Sequence, residues 1–131
     1  MIVADTSALI RLYLPDGPLP LGFEDHMDSA WQGEAVITIP EIALAEVTQV
    51  IWKKQQAGII TENEADEILS AFLDLPLEIV GHKDLLTESL SLARSHHLTI
   101  YDCLFLALSI KLKAELITAD KRLHNAFKAK D

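Results

Sequence analysis

Met1-Ile-Val-Ala-Asp5-Thr-Ser-Ala-Leu9 decides how the rest of the chain is read. Three apolar residues, Ile2 to Ala4, run straight into Asp5, and Thr6 and Ser7 then open a helical pattern. That is a short buried strand ending in a carboxylate and followed at once by a helix start. Ligands of parallel α/β sheets bind outside the carboxyl ends of the strands, so Asp5 stands where chemistry is expected. Taken alone, Asp5 reads better as a helix cap, accepting a hydrogen bond from an N–H two or three residues on. Its companions decide between the two.

Working outward, Thr6 to Leu14 reads as a short helix stopped by Pro15-Asp16-Gly17-Pro18, and residues 19–33 as a second helix closed by Gly33. Ala35 to Ile39 is rich in β-formers and reads as the second strand. Pro40 suits the first position of a long helix, where its missing N–H would be unpaired anyway, and Gly58 stops that helix after Ala57. Thr61-Glu-Asn-Glu64 is a capping box opening a helix with Ala65, Ile68, Leu69 and Phe72 at helical spacing. Pro76 to Val80 is the third strand, Asp84 to His96 a helix, Tyr101 to Leu112 a helix apolar nearly all round, Ala114 to Thr118 the fourth strand, and Asp120 to Lys128 a last helix. Strands alternating with helices at this spacing predict one α/β domain, residues 1–131, with a parallel sheet covered on both faces.

Composition narrows the function. Half the chain is apolar and 24% is charged, which excludes a disordered protein. No apolar run approaches the roughly 20 residues of a membrane span, and Asp5 and Arg11 interrupt the first residues where a secretory leader would be uniform. Cys103 is the single cysteine, which rules out an internal disulfide and suits a cytoplasmic protein. A net charge of −9 opposes broad electrostatic binding of nucleic acid. It does not oppose a nuclease whose bound cation reverses the local field.

Four acids stand out. Asp5 and Asp120 each follow a strand and precede a helix, at the same end of a parallel sheet. Asp102 is the lone acid in the apolar helix 101–112, and Glu46 lies at the margin of its helix's apolar arc. Each has a plain structural alternative: caps for Asp5 and Asp120, a first-turn dipole partner for Asp102, a solvated surface for Glu46. Glu41 is a rival for the helical position, but directly after Pro40 it reads as a dipole-stabilising residue.

For such carboxylates to meet in one crevice a cation must compensate them, since each pair at about 4 Å and an effective dielectric near 20 repels by roughly 4 kcal/mol. Hard oxygens without thiol or paired imidazole suit Mg²⁺ or Mn²⁺, which serve phosphoryl chemistry. A dehalogenase-type phosphatase would need an Asp where Ser7 stands, and a receiver domain a phosphoacceptor where Ile79-Val-Gly81 ends the third strand. No glycine-rich phosphate loop is present.

With these residues in view, the chain resembles the PIN-domain family, and within it the VapC-type toxins. Four segments carry the resemblance: Val3-Ala-Asp5-Thr-Ser-Ala-Leu9, Ile39-Pro-Glu-Ile-Ala-Leu-Ala-Glu46-Val, Thr99-Ile-Tyr-Asp102-Cys-Leu-Phe-Leu-Ala107, and Leu116-Ile-Thr118-Ala-Asp120-Lys-Arg-Leu123. Each is weak singly; four in order at this length are specific, and their register puts Glu46 rather than Glu41 on the family's acid. The resemblance implies a three-layer α/β/α sandwich with a parallel sheet of four or five strands. It also implies Mg²⁺- or Mn²⁺-dependent hydrolysis of RNA, a VapB-type antitoxin that blocks the site, and a homodimer. Lys128-Ala-Lys-Asp131 lacks the apolar run of the family's fifth strand, which touches dimer geometry more than catalysis.

On this reading Asp5, Glu46, Asp102 and Asp120 form the catalytic and metal-holding set. Thr6, Ser7 and Thr118 carry hydroxyls that steady them, and Arg11, Lys53, Lys54, Lys121 and Arg122 supply substrate contacts near the mouth. Two rivals remain in view, a PIN-like binding module without activity and a DNase or 5′-nuclease of the same fold. Retention of mutually repelling acids speaks against the first, and the absence of an added arch or insertion against the second.

Overall fold

The computed structural model describes residues 1–130; Asp131, counted in the expected domain, lies outside the described residues. Four strands, β1 (Ile2–Ala4), β2 (Ile37–Pro40), β3 (Leu77–Val80) and β4 (Glu115–Ile117), form one sheet in the order β3-β2-β1-β4. All pairings are parallel, with Ile2 opposite both Ile37 and Glu115, and Ile37 opposite Leu77. Parallel neighbours demand crossover connections; six of the seven helices supply them, two per crossover, and the seventh follows β4. The helices are α1 (Thr6–Ile10), α2 (Phe23–Trp31), α3 (Ile42–Gln56), α4 (Glu62–Leu73), α5 (Leu86–His96), α6 (Ile100–Leu112) and α7 (Lys121–Lys128).

The two central strands are buried on both faces, as near-continuous apolar runs in parallel sheets are. Helix α6 is the core helix: Cys103 through Ser109 are buried without a break, and it packs on β1, β2, β4, α5 and α7. Burial on nearly every side explains why its sequence lacks a polar face. Phe23, Phe72 and Phe105 are the largest buried side chains, so helices early, midway and late in the chain share one core.

The expected elements are all present, with three adjustments. Thr6–Leu14 is α-helical only to Ile10, after which Leu12 and Tyr13 bond three residues back and the helix tightens into turns. The expected helix from Asp84 begins instead as a 3₁₀ turn, Lys83–Leu85, before α5. Pro40 is not the first residue of a helix: it ends β2 opposite Val80, and the next N–H, that of Glu41, bonds the Val80 carbonyl at 2.8 Å. A strand tolerates proline where the ladder ends, since no further bond is asked of its nitrogen. Gly58, at a φ of 75°, follows α3 in the left-handed conformation that its role as a stop requires. Among the described residues there is no fifth strand.

Parallel strands place all four carboxyl ends on one edge. Asp5 leaves β1 there, Glu41 leaves β2, Gly81 leaves β3 and Thr118 leaves β4. Two of the expected acids come out side by side where central β1 meets the edge strand β4.

Candidate active site

Asp5 is 5% exposed, the one buried acid among the described residues. It is the N-cap of α1: Oδ1 accepts from the Ala8 N–H at 3.0 Å and from Ser7 Oγ at 2.7 Å, while Oδ2 accepts from Thr118 Oγ1 at 2.5 Å. The Thr118 hydroxyl also accepts from the Asp120 N–H at 3.0 Å, and Ser7 Oγ from the Ala119 N–H at 2.9 Å. Asp5 thereby fixes the backbone that carries Asp120, more than a hundred residues further on. Burial raises the Asp5 carboxyl above its ordinary value of 3.8; the hydroxyls of Thr118 and Ser7 and the Ala8 N–H pull it back, and the Asp120 charge adds to the rise.

Asp120 caps α7 in the same manner, Oδ1 accepting from the N–H groups of Arg122 at 2.8 Å and Leu123 at 3.3 Å. Cap and charged-site readings were alternatives in the sequence; in the fold both acids are caps and also face another carboxylate. Asp102 sits in the first turn of α6, whose cap is Thr99, its hydroxyl accepting from the Asp102 N–H at 3.1 Å. Burial raises the Asp102 carboxyl, and the neighbouring Asp120 raises it further; Thr99 and the Arg122 guanidinium offset part of this. Glu46, half-buried on α3, receives the Thr6 hydroxyl on Oε1 at 2.7 Å. Its carboxyl too is raised by burial, lowered by Thr6, and raised by Asp102.

The four acids thus form a row in which neighbours repel: Asp5 with Asp120, Asp120 with Asp102, Asp102 with Glu46. No ion pair neutralises them, since the one salt bridge among the described residues joins Lys54 to Asp16. The row is less compact than a single crevice would be: among the described residues no three Asp, Glu, His or Cys side chains are placed to clasp one ion together. A donor set of pairs still fits a hard divalent cation, because Mg²⁺ keeps several waters and is held by one or two carboxylates. Glu41 stands apart, exposed at the N-cap position of α3 with no side-chain bond.

All three expected hydroxyls touch an acid: Thr6 holds Glu46, and Ser7 and Thr118 hold Asp5. The basic residues divide. Arg11 donates to the Pro18 carbonyl at 2.8 Å and Lys54 pairs with Asp16 at 2.7 Å, so both tie down the loop after α1. Lys53 is exposed two turns beyond Glu46. Arg122 donates to the His97 carbonyl at 2.9 Å beside Asp102, and Lys121 lines an open groove with Thr118, Asp120 and His124. Tyr101 escaped the sequence reading, which took its helix as buried from the start. It is 57% exposed and lines a groove of about 350 Å³ with Thr6 and Glu46. Its place in the first turn, one residue before Asp102, was the available signal.

A fully parallel sheet of order β3-β2-β1-β4 with carboxylates at its carboxyl edge defines the class, and residues 2–128 match the PIN domain family model. The chain belongs to the PIN-domain family. It is 28% identical over 130 residues to Ribonuclease VapC3 of Pyrobaculum aerophilum, covering 98% of this chain and 95% of that protein. The crystal structure of PAE2754 from Pyrobaculum aerophilum superposes with a TM-score of 0.75 at 21% identity, over 97% of this chain and 79% of that one. Mycobacterium tuberculosis VapC20, described as a sarcin–ricin-loop-cleaving toxin, superposes with a TM-score of 0.66 at 15% identity, over 96% and 95%. These two share the fold. No helix among the described residues is long and apolar enough to cross a membrane.

Proposed function

We propose that this protein is a Mg²⁺- or Mn²⁺-dependent endoribonuclease and the toxin of a VapBC-type pair. The observation that carries the reading is the row Asp5–Asp120–Asp102–Glu46 at the sheet's carboxyl edge, which Arg122 offsets only in part and no ion pair among the described residues neutralises. Like charges held together by the fold are costly unless an ion completes them. The likeness to a relative named as a ribonuclease supports RNA as the substrate.

Asp5, Asp102, Asp120 and Glu46 would hold the ion, directly or through its waters. When bound, a divalent cation there supplies Lewis acidity and offsets the charge on the phosphodiester oxygens. The chain's own part is orientation. Ser7, Thr118 and the Ala8 N–H take three acceptor positions of Asp5 and fix its rotamer. Thr6 turns one Glu46 oxygen toward α1, leaving the other to orient an attacking water or accept its proton. Lys121, which lines a groove with Asp120, would meet a phosphate of the substrate strand.

The same acidic row suits an arginine-bearing antitoxin segment, whose guanidinium pairs bidentately with carboxylates and takes the cation's place. A homodimer is the assembly that goes with this reading. The test is incubation of the purified protein with total RNA, with duplex DNA in parallel, in Mg²⁺ and then in EDTA. RNA cleavage that needs Mg²⁺ and is lost in Asp102→Asn upholds the proposal. Intact RNA under all conditions overturns it in favour of a binding module, and cleavage of DNA alone in favour of a DNase.

A further inference from the structure

We propose that the groove between Tyr101 of α6 and helix α3 is a nucleobase subsite, in which the Tyr101 ring stacks on a base next to the cleaved phosphodiester. The inference rests on the nuclease reading and adds to it how so acidic a protein grips its substrate.

The need comes from charge. The chain carries 11 lysines and arginines against 20 acids, and Arg11 and Lys54 are committed to the loop after α1. Arg122 is turned to the His97 carbonyl. Phosphate neutralisation, the usual source of affinity for nucleic acid, is therefore weak here. Proteins that hold single strands have a second source, stacking of bases on aromatic side chains.

The groove has the form such a contact requires. Tyr101 is 57% exposed, although the seven residues Cys103 to Ser109 of the same helix are buried. A single exposed apolar side chain needs no explanation, but this one lines a concavity of about 350 Å³ rather than a convex surface. From the α3 side Ile42 and Val50 add apolar wall, and Gln49 adds an amide with donors and an acceptor for a base edge. Glu46 and Thr6 line the same groove, so an occupant of it abuts the acidic row. A tyrosine also loses little conformational freedom when it orders against a ligand, having only two side-chain torsions. The lining matches a base in kind: apolar at Tyr101, Ile42 and Val50 for its face, polar at Gln49 for its edge.

The experiment uses the full chain, its Tyr101→Ala and Tyr101→Phe variants, and three labelled single strands of equal length: oligoadenylate, oligouridylate and an abasic ribose-phosphate strand. Affinities are read by fluorescence anisotropy in EDTA, and KM and kcat for RNA cleavage are read in Mg²⁺. Purines stack better than pyrimidines, so the parent should bind oligoadenylate best and the abasic strand worst. Tyr101→Ala should lose about tenfold or more for oligoadenylate, little for the abasic strand, and show the loss in KM rather than kcat. Tyr101→Phe keeps the ring and should keep the parent's ranking. The proposal is overturned if Tyr101→Ala ranks and binds the strands as the parent does. It is also overturned if that variant only dissociates a dimer or releases an antitoxin segment, which would make the groove a protein interface. A parent that cleaves RNA beside an unaffected Tyr101→Ala sinks the subsite alone. A parent that ranks the strands as expected without cleaving sinks the nuclease reading alone, and one that does neither sinks both.

Discussion

Thr6 and Glu46, 40 residues apart, are joined by a hydrogen bond of 2.7 Å from the threonine hydroxyl to Oε1. The bond ties the first turn of α1 to the second turn of α3 and so relates the acid that follows β1 to the acid carried on a helix. Threonine at this position does two things at once. It follows the cap residue Asp5 as the first residue of α1, and it spends its hydroxyl on another element rather than on its own backbone. That second use is what brings Glu46 into the row.

Replacing Thr6 with Val keeps the side chain's shape and removes its donor. Hydrogen bonds to charged groups contribute about 1.5–3 kcal/mol, so a freely turning Glu46 should lower kcat for RNA about ten- to hundredfold. Thr6→Ser keeps the hydroxyl and should recover most of the rate. Both variants should melt within a few degrees of the parent. Parental turnover in Thr6→Val would mean that Glu46 is oriented by something other than this bond.

Asp5 and Asp102 should respond in opposite ways when each is replaced in the metal-free protein. Asp5→Ala leaves Ser7, Thr118 and the Ala8 N–H without their acceptor in a buried place, costing about 1–3 kcal/mol. Asp102→Asn removes a charge that burial and then Asp120 disfavour and that in turn raises Glu46, so it should be as stable as the parent or more so. Excess Mg²⁺ should raise the parent's Tm by mass action on the folded state and that of Asp102→Asn much less. Both should cleave RNA orders of magnitude more slowly, whereas Glu41→Gln, exposed and unbonded, should cleave as the parent does. Thermal melts in EDTA and in Mg²⁺ decide it: equal losses for both Asp variants, with no Mg²⁺ shift, would leave these acids as caps and nothing more.

The pattern of the fold was legible because each strand is a short, mostly apolar or β-branched run ended by a turn or an acid, and several helices have a readable start. Thr61-Glu-Asn-Glu64 forms both bonds of its capping box, Glu64 Oε1 accepting from the Thr61 N–H at 2.9 Å. Pro40 misled because its fixed φ serves a helix start and a strand end equally, and only the partner Val80 distinguishes them. In the site, residue types and order pointed to Asp5, Glu46, Asp102 and Asp120. Which charges were free was not legible: Lys54 reads like any lysine until Asp16, 38 residues away, lies 2.7 Å from it. Tyr101 was hidden by its own helix, whose composition says buried although its first turn emerges at the sheet edge.

The basic residues should separate accordingly. Lys54→Ala breaks a partly exposed surface pair and should cost about 0.2–1 kcal/mol of stability while leaving KM for RNA unchanged. Lys121→Ala removes a charge beside Asp120 with no partner of its own among the described residues; stability should hold and KM should rise. The slope of log affinity against log salt should also flatten by about one for Lys121→Ala. If the two variants exchange these behaviours, the substrate strand passes the loop after α1 and not the start of α7.

The raised carboxyls fix the sign of a pH dependence. Asp5, Asp102 and Glu46 hold their protons to higher pH in the folded protein than at the ordinary values of 3.8 for Asp and 4.5 for Glu. Between those values and the raised ones the folded state binds more protons than the unfolded chain, so stability falls as pH rises through that window. Above it the penalty is complete; below the ordinary values it is absent. Asp5, almost fully buried, carries most of the effect, while solvent screens the half-exposed Glu46 and Asp102. In EDTA the Tm should therefore decline from mildly acidic toward neutral pH. Because the chain's overall negative charge pushes the same way, the informative quantity is the difference between parent and Asp102→Asn. That difference should be near zero at the acidic end and grow in the variant's favour toward neutral pH. With Mg²⁺ present the ordering should invert at neutral pH, since an ion held by ionised carboxylates stabilises the parent more as they lose their protons. A difference that stays constant across the range in EDTA would mean that neither burial nor a neighbouring charge raises Asp102, and the acidic row would then not exist as a unit.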